Sequence, residues 1–541
     1  MRFGSFNKKA YLCTAITIAI ATKFAVQNVK LTNLIMKKDF LYITKPCQEL
    51  TDEEFEQCSA LFSQNYGKYS GKGDKKAGQH IKMGPKLYKQ MYGNNPHMFV
   101  SLCYEDGKLL GQAFFLRKII QGKGICSWVT QLVVHNQYRN RKIGSRLLHS
   151  AWGFSDYYAW GLATANAITI KTLESATWRK VEPQHIAENI HVIEEIMEEI
   201  PFADKNSIRL NEKQCQIFSN FYPELEKSNK EEQFQIYIKK LGEIVPGNEW
   251  LAFTFASQAM SFTKEKFERF LDFSEQQLNE AYSRMNMAEH GWAKSTNAEV
   301  DFLIQEVGIK PEHKILDLGC GQGRHILRFA ELGYKKGNGI DFSEANIEKA
   351  SEEAQRRGLI ANFFTGDARK VNFTGLYDVV LCLYDVIGSF RDEKENDKIV
   401  RNIKQCLKPG GKAVISVMNM ELTEHIATHK VSLKENPTEL LHLPPSNTME
   451  TSGNIFKPEY FLINTDDGLV YRKEQFNNNN MLSAEYLVAD KRYTKKEICN
   501  KIKSANLKLL EVRYVQAGHW DKPLNATDIK AKEILLIVEK Q

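Results

Sequence analysis

The sequence predicts an α/β chain in which an N-terminal α+β domain, a helical connector and a C-terminal domain with a parallel sheet follow one another. Three observations support this prediction. A chain of 541 residues is longer than single hydrophobic cores usually grow. The first third contains consecutive strand-like runs that end in turns. The second half alternates strand-like and helical segments, which is typical of a parallel sheet covered by helices.

Composition and charge exclude several classes of protein. With 43% apolar and 26% charged residues, the chain has the composition of an ordinary globular protein. Its 73 basic and 66 acidic residues give a net charge of +7 without a run of five or six Lys/Arg, so no nucleic-acid-binding arm is predicted. Ten scattered cysteines without a C-x-x-C pair indicate reduced thiols, no metal site and a cytoplasmic location. The sequence leaves the oligomeric state open.

Residues 1–36 form an extension with a basic start and a short apolar run from Tyr11 to Ala21, which together mimic a secretory signal. The run is too short to span a bilayer. We expect a superfluous or mis-assigned extension, with a fresh start at Met36 and no membrane contact. A functional signal or anchor is the alternative.

The first domain is predicted over residues 37–182. Its runs "MFVSLCY", "KLLGQAFFLRKII" and "CSWVTQLVVH" are separated by glycine-containing turns, which predicts an antiparallel meander. Residues 183–272 are highly charged with helical periodicity, as in "HIAENIHVIEEIMEEI", and contain one strand-like run, "EWLAFTF". We predict a helical connecting region there, followed by the second domain over 273–541.

The segment "HKILDLGCGQGRHILRFAEL" places a buried strand before a glycine-rich turn and a helix that begins near Arg324. Glycines at 319, 321 and 323 let the backbone turn sharply and approach a ligand closely. Asp341 ends the next strand, where a carboxylate can accept hydrogen bonds from ribose hydroxyls. The third strand ends in Gly366-Asp367-Ala368, which suits an adenine amino group, and the fourth ends at Tyr384 and Asp385.

In this order the motifs resemble those of the class I S-adenosylmethionine-dependent methyltransferases, with "ILDLGCGQG" as the first motif and "CLKPGGKAVISV" similar to a later loop and strand. Any one motif alone also fits a nucleotide-binding oxidoreductase. The resemblance implies a Rossmann-like domain with a seven-stranded sheet and S-adenosylmethionine as its cofactor. It assigns the cofactor contacts to Asp317, Gly319, Cys320, Gly321, Gly323, Asp341, Phe342, Gly366, Asp367, Ala368 and Leu383.

On the acceptor side, members of this family transfer the methyl group by in-line displacement, for which alignment matters more than acid–base catalysis. Tyr384 and Asp385 are the catalytic candidates, although Asp385 could equally cap the next helix. An insertion from about Glu421 to Phe476 is similar to the extra strands that cover small acceptors in this family. Nucleic-acid members usually carry Asn/Asp-Pro-Pro-aromatic after the fourth strand, and this chain has "LYDV" instead. We therefore expect a small-molecule acceptor and no nucleic-acid partner. Weaker candidates are Tyr471, Arg472, His519 and His325.

In the first domain, "WVTQLVVHNQYRNRKIGSRLLHSAWGF" joins a strand to a helix through a basic turn, which suits a pyrophosphate. The order of elements resembles the GNAT acyltransferases, and the resemblance implies acetyl-CoA or another acyl-CoA as ligand. Three departures stand out: Lys142 replaces a loop glycine, Thr130 and Gln131 stand where many members have a catalytic Glu, and Leu173 stands where many have a Tyr. The implied acyl-CoA contacts are Leu132, Val134, Arg139, Arg141, Lys142, Gly144, Ser145 and Asn166.

The leading hypothesis is a two-domain enzyme that methylates a small acceptor at nitrogen or oxygen and carries a fused N-acetyltransferase domain. A methyltransferase regulated by an inactive, acyl-CoA-sensing domain is the main alternative. A protein-modifying methyl- or acetyltransferase is the third.

Overall fold

The computed structural model describes residues 40–200, 205–211, 214–224, 227–283, 293–446, 454–478 and 481–541. The extension predicted over residues 1–36 lies outside these ranges. None of the helices in the described ranges is long and apolar enough to cross a bilayer.

The N-terminal half is built on one eight-stranded sheet in the order β1-β2-β3-β4-β5-β8-β7-β6. Neighbouring strands are antiparallel except β4 and β5, which are parallel. The strands are β1 (Leu41–Pro46), β2 (Met98–Glu105), β3 (Lys108–Ile120), β4 (Gly124–Val134), β5 (Ala159–Thr164), β6 (Ile208–Asn211), β7 (Gln214–Phe221) and β8 (Gly247–Phe255). The predicted meander of three runs is the sequence β2, β3, β4.

Helices cover both faces of this sheet. They are α1 (Asp52–Asn65), α2 (Pro85–Tyr88), α3 (Ile143–Trp152), α4 (Ala167–Thr177), α5 (Pro183–Glu188), α6 (Ile190–Met197) and α7 (Gln235–Leu241), with a π-helical turn over Lys89–Gly93. Thr51 begins α1 with a reciprocal capping box to Glu54. Asn166 caps α4 by accepting a hydrogen bond from the Ile168 amide at 2.9 Å.

The region predicted as a helical connector, 183–272, contains helices but also strands β6, β7 and β8, which extend the N-terminal sheet. The strand-like run "EWLAFTF" is β8, but the prediction that the region is a helical connector is wrong, because three of its strands belong to the N-terminal sheet. Its charged residues dominated the pattern, whereas β8 is buried along its whole length and pairs with β5. A strand buried on both faces carries no alternating pattern, so the run could be identified as a strand but not assigned to the N-terminal sheet.

The C-terminal half contains a second eight-stranded sheet in the order β11-β10-β9-β12-β13-β20-β18-β19. The strands are β9 (Ile315–Leu318), β10 (Gly337–Asp341), β11 (Asn362–Thr365), β12 (Tyr377–Cys382), β13 (Leu407–Met418), β18 (Lys508–Gln516), β19 (His519–Leu524) and β20 (Glu533–Glu539). The expected number was seven. The eighth is β19, which folds back on β18 after the turn at Gly518 and pairs with it antiparallel.

Strands β9 to β13 run parallel, so their carboxyl ends lie at one edge of the sheet. The helices of this half are α8 (Lys264–Ser283), α9 (Thr296–Gln305), α10 (Arg324–Glu331), α11 (Glu344–Arg356), α12 (Glu393–Cys406), α13 (Met420–Ile426), α14 (Glu439–His442) and α15 (Lys495–Ser504). Because α10 follows β9 directly through the glycine turn, its first residues lie at this edge.

The predicted insertion, which ends at about Phe476, and the strand that follows it form a separate four-stranded sheet, which we call the cover sheet. Its strands are β14 (Lys430–Val431), β15 (Phe461–Asn464), β16 (Val470–Asn478) and β17 (Met481–Asp490). The two halves share an apolar cluster in which Phe154 and Trp178 of the first half meet Phe270 of α8 and Leu487 of the cover sheet. A Cβ on Gly153, at the end of α3, would lie 1.8 Å from the Glu485 carbonyl oxygen of β17. The halves are therefore packed directly against each other.

Candidate functional site

The glycine turn after β9 has a left-handed backbone at Gly319, Gly321 and Gly323, with φ of 77°, 53° and 77°. A Cβ on Gly319 would lie 2.4 Å from Val386, and one on Gly323 would lie 2.4 Å from Phe363. A Cβ on Gly321 would meet no atom within 4 Å. Two of the glycines thus allow close packing, while the third faces open space in which a ligand can approach the backbone.

Asp341, at the end of β10, fixes this turn. Its Oδ2 accepts a hydrogen bond from the Gly321 amide at 2.9 Å, and its Oδ1 accepts one from the Ser343 amide at 2.9 Å. Burial raises the pKa of Asp341 above its ordinary value, although these two amides act in the opposite direction. A carboxylate has further lone pairs beyond two such bonds, so Asp341 can still accept hydrogen bonds from a diol.

The third strand places its predicted residues beside Asp341. The Gly366 amide donates to the Asp341 carbonyl at 2.9 Å. The Asp367 carboxylate is held by the Arg369 guanidinium at 2.9 and 2.8 Å, and Arg369 lies over the Phe390 ring. The Ala368 carbonyl accepts a hydrogen bond from Asn402, and Phe342 is 41% exposed next to Asp341. An exposed ring beside the turn suits a flat aromatic ligand group.

Glu299 of α9 is a fully buried carboxylate that sequence reasoning missed. Its Oε2 accepts hydrogen bonds from Arg324 at 2.7 Å and from His325 at 2.9 Å. Its Oε1 accepts hydrogen bonds from the Tyr384 hydroxyl and from the Gly518 amide. One side chain thus joins α9, the first turn of α10, the end of β12 and the turn before β19.

The electrostatics of this cluster follow from its burial. Burial alone would raise the pKa of Glu299, but the hydrogen bonds from His325 and Tyr384 and the charge of Arg324 lower it to about 2. Burial and the neighbouring Glu299 carboxylate raise the pKa of Tyr384, against the opposing charge of Arg324. The cluster therefore holds a charged carboxylate and a neutral phenol.

Asp317 is 2% exposed, and its Oδ2 lies 3.6 Å from Nδ1 of His325 without a hydrogen-bond partner among the described residues. Cys320 and Leu383 are buried nearby in the turn and at the end of β12. A carboxylate oxygen left open beside the glycine turn suits a cationic or hydrogen-bond-donating part of a ligand.

Tyr384 has a left-handed backbone, with φ of 65°, which is uncommon outside glycine and typical of functional sites. Its amide donates to the Ser416 hydroxyl, and its own hydroxyl is engaged by Glu299. Asp385, the next residue, is exposed. The structure thus separates the two catalytic candidates: Tyr384 belongs to the buried cluster, while the Asp385 side chain is exposed and acts electrostatically on the buried Glu533.

Glu533 is a second carboxylate that sequence reasoning missed. It begins β20 opposite Met418, at the edge where the parallel strands end, and is 6% exposed. Its Oε2 has no hydrogen-bond partner among the described residues. Burial and the negative charge of Glu299 raise the pKa of Glu533 to about 8, although a hydrogen bond with Ser416 and the charge of Arg324 act in the opposite direction.

The weaker acceptor candidates do not form one site. The Tyr471 hydroxyl donates to Asp467, Arg472 lies buried against Glu474 and Asp490, and His519 is exposed on β19.

The sequence did contain a signal for Glu299, because this residue falls one helical turn before Leu303 on an otherwise apolar helix face. Glu533 carried no such signal, since its neighbours come from strand pairing alone.

In the N-terminal half, β4 and β5 pair only from Cys126–Ala159 to Val129–Leu162, although both strands continue. A bulge at Thr130 interrupts the pairing of β4 with β3 at the same level. The two parallel strands therefore part from Thr130 onward. An opening of this kind in the middle of a sheet exposes backbone groups that a ligand can pair with.

Leu132 and Val134, two of the predicted acyl-CoA residues, lie on the part of β4 that borders this opening. A Cβ on Gly144 would lie 3.9 Å from both Leu132 and Val134, so the first turn of α3 packs against β4 here. Ser145 donates to the Lys142 carbonyl at 3.0 Å. The amides in the first turn of α3 have no partner within the helix and can bind an anion.

The basic residues of the turn differ in role. Arg139 donates to the backbone carbonyl of Asn65 at 2.8 Å, so its guanidinium also braces the fold. Arg141 lies over the Tyr138 ring at 4.8 Å and is exposed. Lys142 has φ of 63°, a left-handed backbone at the position where the resemblance led us to expect glycine. The side-chain oxygen of Asn166 accepts the hydrogen bond that caps α4.

Two family models match the chain. One, described as a methyltransferase domain, matches residues 309–468, and the other, described as the acetyltransferase (GNAT) family, matches residues 61–156. The chain joins a methyltransferase domain to a GNAT acetyltransferase domain. It is therefore a transferase, with S-adenosylmethionine and acetyl-CoA as the cofactors of its two domains.

The methyltransferase domain has curated relatives. The ubiquinone biosynthesis O-methyltransferase of Rickettsia canadensis is 29% identical over 177 residues, which are 33% of this chain and 71% of that protein. The glycine/sarcosine N-methyltransferase of Halorhodospira halochloris is 30% identical over 132 residues, 24% of this chain and 49% of that protein. A solved S-adenosylmethionine-dependent methyltransferase from Clostridium acetobutylicum is 15% identical and covers 49% of this chain and 98% of its own, with a TM-score of 0.36.

The residues present fit S-adenosylmethionine. Gly321 faces open space, Asp341 keeps lone pairs for a ribose diol, and Asp317 has a buried oxygen without a partner in the described structure. In the GNAT domain, the parted strands β4 and β5 and the open first turn of α3 fit an extended ligand that ends in a pyrophosphate.

Proposed function

We propose that the methyltransferase domain methylates a small-molecule acceptor at nitrogen or oxygen and that the GNAT domain acetylates an amine. The chain would then be bifunctional, and we propose that it acts in the cytoplasm without a nucleic-acid partner. The observation that carries the methyltransferase part is the polar edge formed by Asp317, Glu299, Tyr384 and Glu533 where the parallel strands end. Relatives named for O- and N-methylation support an acceptor of either kind.

Bound S-adenosylmethionine would supply an electrophilic methyl group on its sulfonium centre. Asp341 and the glycine turn would hold the ribose, and Asp317 would face a donor group of the ligand. Glu299 keeps Tyr384 fixed through its hydroxyl, which leaves Asp385 and Glu533 to receive or orient the acceptor. Alignment of this kind supplies most of the rate of a displacement reaction.

The experiment for the cofactor is a thermal-shift measurement on the full chain. A ligand at about 100 times its dissociation constant stabilises the folded state by about 2.7 kcal/mol. S-adenosylmethionine should raise the melting temperature of the wild type, and Asp341→Ala should remove this shift. Absence of a shift in the wild type would contradict the proposal.

The acceptor can be sought by mass spectrometry. A metabolite extract incubated with the protein and both cofactors should gain products heavier by one methyl or one acetyl group. Products confined to peptides would contradict a small-molecule acceptor and favour the protein-modifying alternative.

A second function is favoured by two observations. Leu173, at the position where many GNAT domains carry a tyrosine, is fully buried and has no polar group to offer. Helix α3 begins at the acyl-CoA turn and ends at Gly153 against the cover sheet. An inactive GNAT domain could therefore sense acyl-CoA and act on the methyltransferase domain through α3. If acetyl-CoA binds and alters methyl transfer without being consumed, this second function replaces the acetyltransferase.

A further inference from the structure

The strand that carries a glutamate in many GNAT domains has an amide in that place here. Gln131 directly follows Thr130, the residue at which β4 bulges and from which β4 and β5 part. Oε1 of Gln131 accepts hydrogen bonds from the Tyr88 hydroxyl of α2 and from Nε2 of Gln112, the latter at 2.7 Å. An amide is not basic, so Gln131 cannot take a proton from an acceptor.

The hydrogen bonds around Gln131 form a closed triangle. Nε2 of Gln112 donates to the Tyr88 hydroxyl at 3.0 Å as well as to Gln131. All three side chains are buried, Gln112 and Tyr88 completely. Because Oε1 of Gln131 accepts both hydrogen bonds, the oxygen of this amide is turned towards Tyr88 and Gln112. The nitrogen of the same amide is therefore left for another partner.

Nε2 of Gln131 is an open hydrogen-bond donor. It carries two N–H groups, and neither donates to any residue in the described part of the chain. Gln131 is only 5% exposed, so a ligand that brings an oxygen atom gives these donors a partner that water scarcely provides. Such a donor favours a carbonyl oxygen that gains negative charge. It does not favour an attacking amine, whose lone pair it would occupy.

The two faces of β4 divide the predicted ligand between them. Leu132 and Val134 lie on the face covered by α3, because a Cβ on Gly144 would lie 3.9 Å from both. Gln131 lies on the opposite face, where its side chain meets Tyr88 of α2. A ligand whose pyrophosphate binds the first turn of α3 must pass between β4 and β5 to reach Gln131. The two strands part at this level.

Aromatic rings line the face of the sheet on which the Gln131 side chain lies. Phe114, which pairs with Gln131 across β3 and β4, stacks on Tyr92 with 4.6 Å between ring centroids. Its ring lies 5.4 Å from that of Tyr88. None of the three rings is more than 2% exposed. A hydrogen bond to a developing negative charge is stronger in such apolar surroundings than in water.

We propose that Nε2 of Gln131 donates a hydrogen bond to the carbonyl oxygen of the acetyl thioester and stabilises the negative charge which that oxygen gains during acetyl transfer. Tyr88 and Gln112 are positioning residues, because they act by fixing the Gln131 amide. This inference rests on the acetyltransferase part of the proposed function. It makes Gln131 a donor to the transition state and not a base.

The proposed step balances in bonds and protons. The nitrogen of a neutral amine forms a bond to the carbonyl carbon, and one electron pair of the carbon–oxygen double bond moves onto the oxygen that Gln131 contacts. When this pair forms the double bond again, the carbon–sulfur bond breaks with its electron pair on sulfur. One proton passes from nitrogen to sulfur through water, which gives an N-acetylated amine and free coenzyme A. Since Gln131 takes no proton, the amine reacts in its neutral form.

The test compares acetyl-CoA with coenzyme A on the full chain, because only acetyl-CoA carries the carbonyl group. Gln131→Leu removes the amide at similar volume. Calorimetry should show that the variant binds acetyl-CoA about 5-fold more weakly than the wild type, the usual effect of one hydrogen bond, and binds coenzyme A equally well. Tyr88→Phe should cause a smaller loss for acetyl-CoA alone. Gln64→Leu, which removes an exposed amide of α1, is the matched control and should change neither affinity.

A second readout is the infrared band of the thioester carbonyl, measured with acetyl-CoA that is isotopically labelled at the carbonyl carbon. A hydrogen bond weakens the carbon–oxygen double bond. The band should therefore lie at lower frequency in the wild type and in Gln64→Leu than in Gln131→Leu. A role of Gln131 in packing alone would leave this frequency unchanged. Gln131→Met repeats the comparison with a flexible side chain, which separates the loss of the amide from a packing defect specific to leucine.

Two results would overturn the inference. One is the same carbonyl frequency in the wild type and in both Gln131 variants. The other is an equal loss of affinity for acetyl-CoA and coenzyme A in both variants, which would assign Gln131 to the fold. A wild type that binds neither ligand would contradict the acetyltransferase part of the proposed function and this inference with it. The coenzyme A measurement thus distinguishes a failure of cofactor binding from a failure of the Gln131 assignment.

Discussion

Oε2 of Glu299 lies 2.9 Å from Nε2 of His325, which ties the helix before the methyltransferase sheet to the first turn of the helix after the glycine turn. Arg324 and Tyr384 complete the contacts of the same carboxylate. The active edge is therefore held by a buried charge and not by apolar packing alone. Its removal should affect both stability and cofactor binding.

Glu299→Gln should destabilise the fold by about 3 kcal/mol at pH 7, because the pKa of Glu299 falls from its ordinary value of 4.5 to about 2 on folding. A carboxylate whose pKa is lower in the folded than in the unfolded state stabilises the fold at pH values above the unfolded-state pKa. This stabilisation disappears as the pH falls from about 4.5 towards 2. Urea unfolding at several pH values checks this. Exposed Glu306→Gln is the control, and a difference from wild type that is independent of pH would contradict the assignment.

Glu533→Gln should have the opposite effect. The pKa of Glu533 is raised to about 8 in the folded state, so its contribution to the stability of the fold is fully present below the unfolded-state pKa of 4.5. This stability is lost as the pH rises through 8. Compared with the wild type, the variant should therefore gain about 3 to 5 kcal/mol between pH 4.5 and 8. Its methyl transfer should fall if Glu533 receives the acceptor proton. A stability difference between the two proteins that does not change with pH would show that Glu533 ionises normally.

Gly321→Val should abolish the thermal shift caused by S-adenosylmethionine, because the new side chain would fill the open space beside the turn. Gly333→Val is the matched control. Both glycines have positive φ and no atom within 4 Å of an added Cβ, so both variants carry backbone strain. Only Gly321 adjoins the proposed cofactor. Loss of the shift in Gly333→Val as well would mean that strain alone explains the result.

Lys142→Gly should be more stable than Lys142→Ala by about 1 kcal/mol, because φ of 63° costs an L-residue roughly that amount. Both variants remove the charge, so their difference isolates the backbone. If the Lys142 ammonium contacts the pyrophosphate, both should bind acetyl-CoA more weakly than the wild type. Thermal unfolding and acetyl-CoA titration measure the two effects, and equal stability of the variants would contradict the left-handed assignment.

Gly153→Ala should destabilise the packing between the two halves by about 3 kcal/mol or more, since its Cβ would lie 1.8 Å from the Glu485 carbonyl. Gly122→Ala has a similar positive φ of 69° but no atom within 4 Å, and it measures backbone strain alone. Calorimetry should show one unfolding transition in the wild type and a separated pair in Gly153→Ala. A single unshifted transition would mean that the interface rearranges without cost.

The sequence by itself determined the two domain types, the parallel sheet and the glycine turn with Asp341, because these depend on local pattern and spacing. The three glycines at positive φ and the helix that begins at Arg324 confirm that prediction. The sequence also showed that Thr130, Gln131 and Leu173 depart from the expected acetyltransferase residues. Each of these features lies within a few residues of the motif that reveals it.

Only the tertiary structure decided where Glu299 and Glu533 lie. Each comes from an element distant in sequence from the motif it serves, and each becomes part of a site through strand pairing or helix packing. The same holds for β8, whose continuous apolar run gave no period from which its pairing with β5 could be read. The local pattern of a sequence determines the periodicity of its helices and strands and the positions of its turns. Whether a charged side chain is buried depends on partners that only folding brings together.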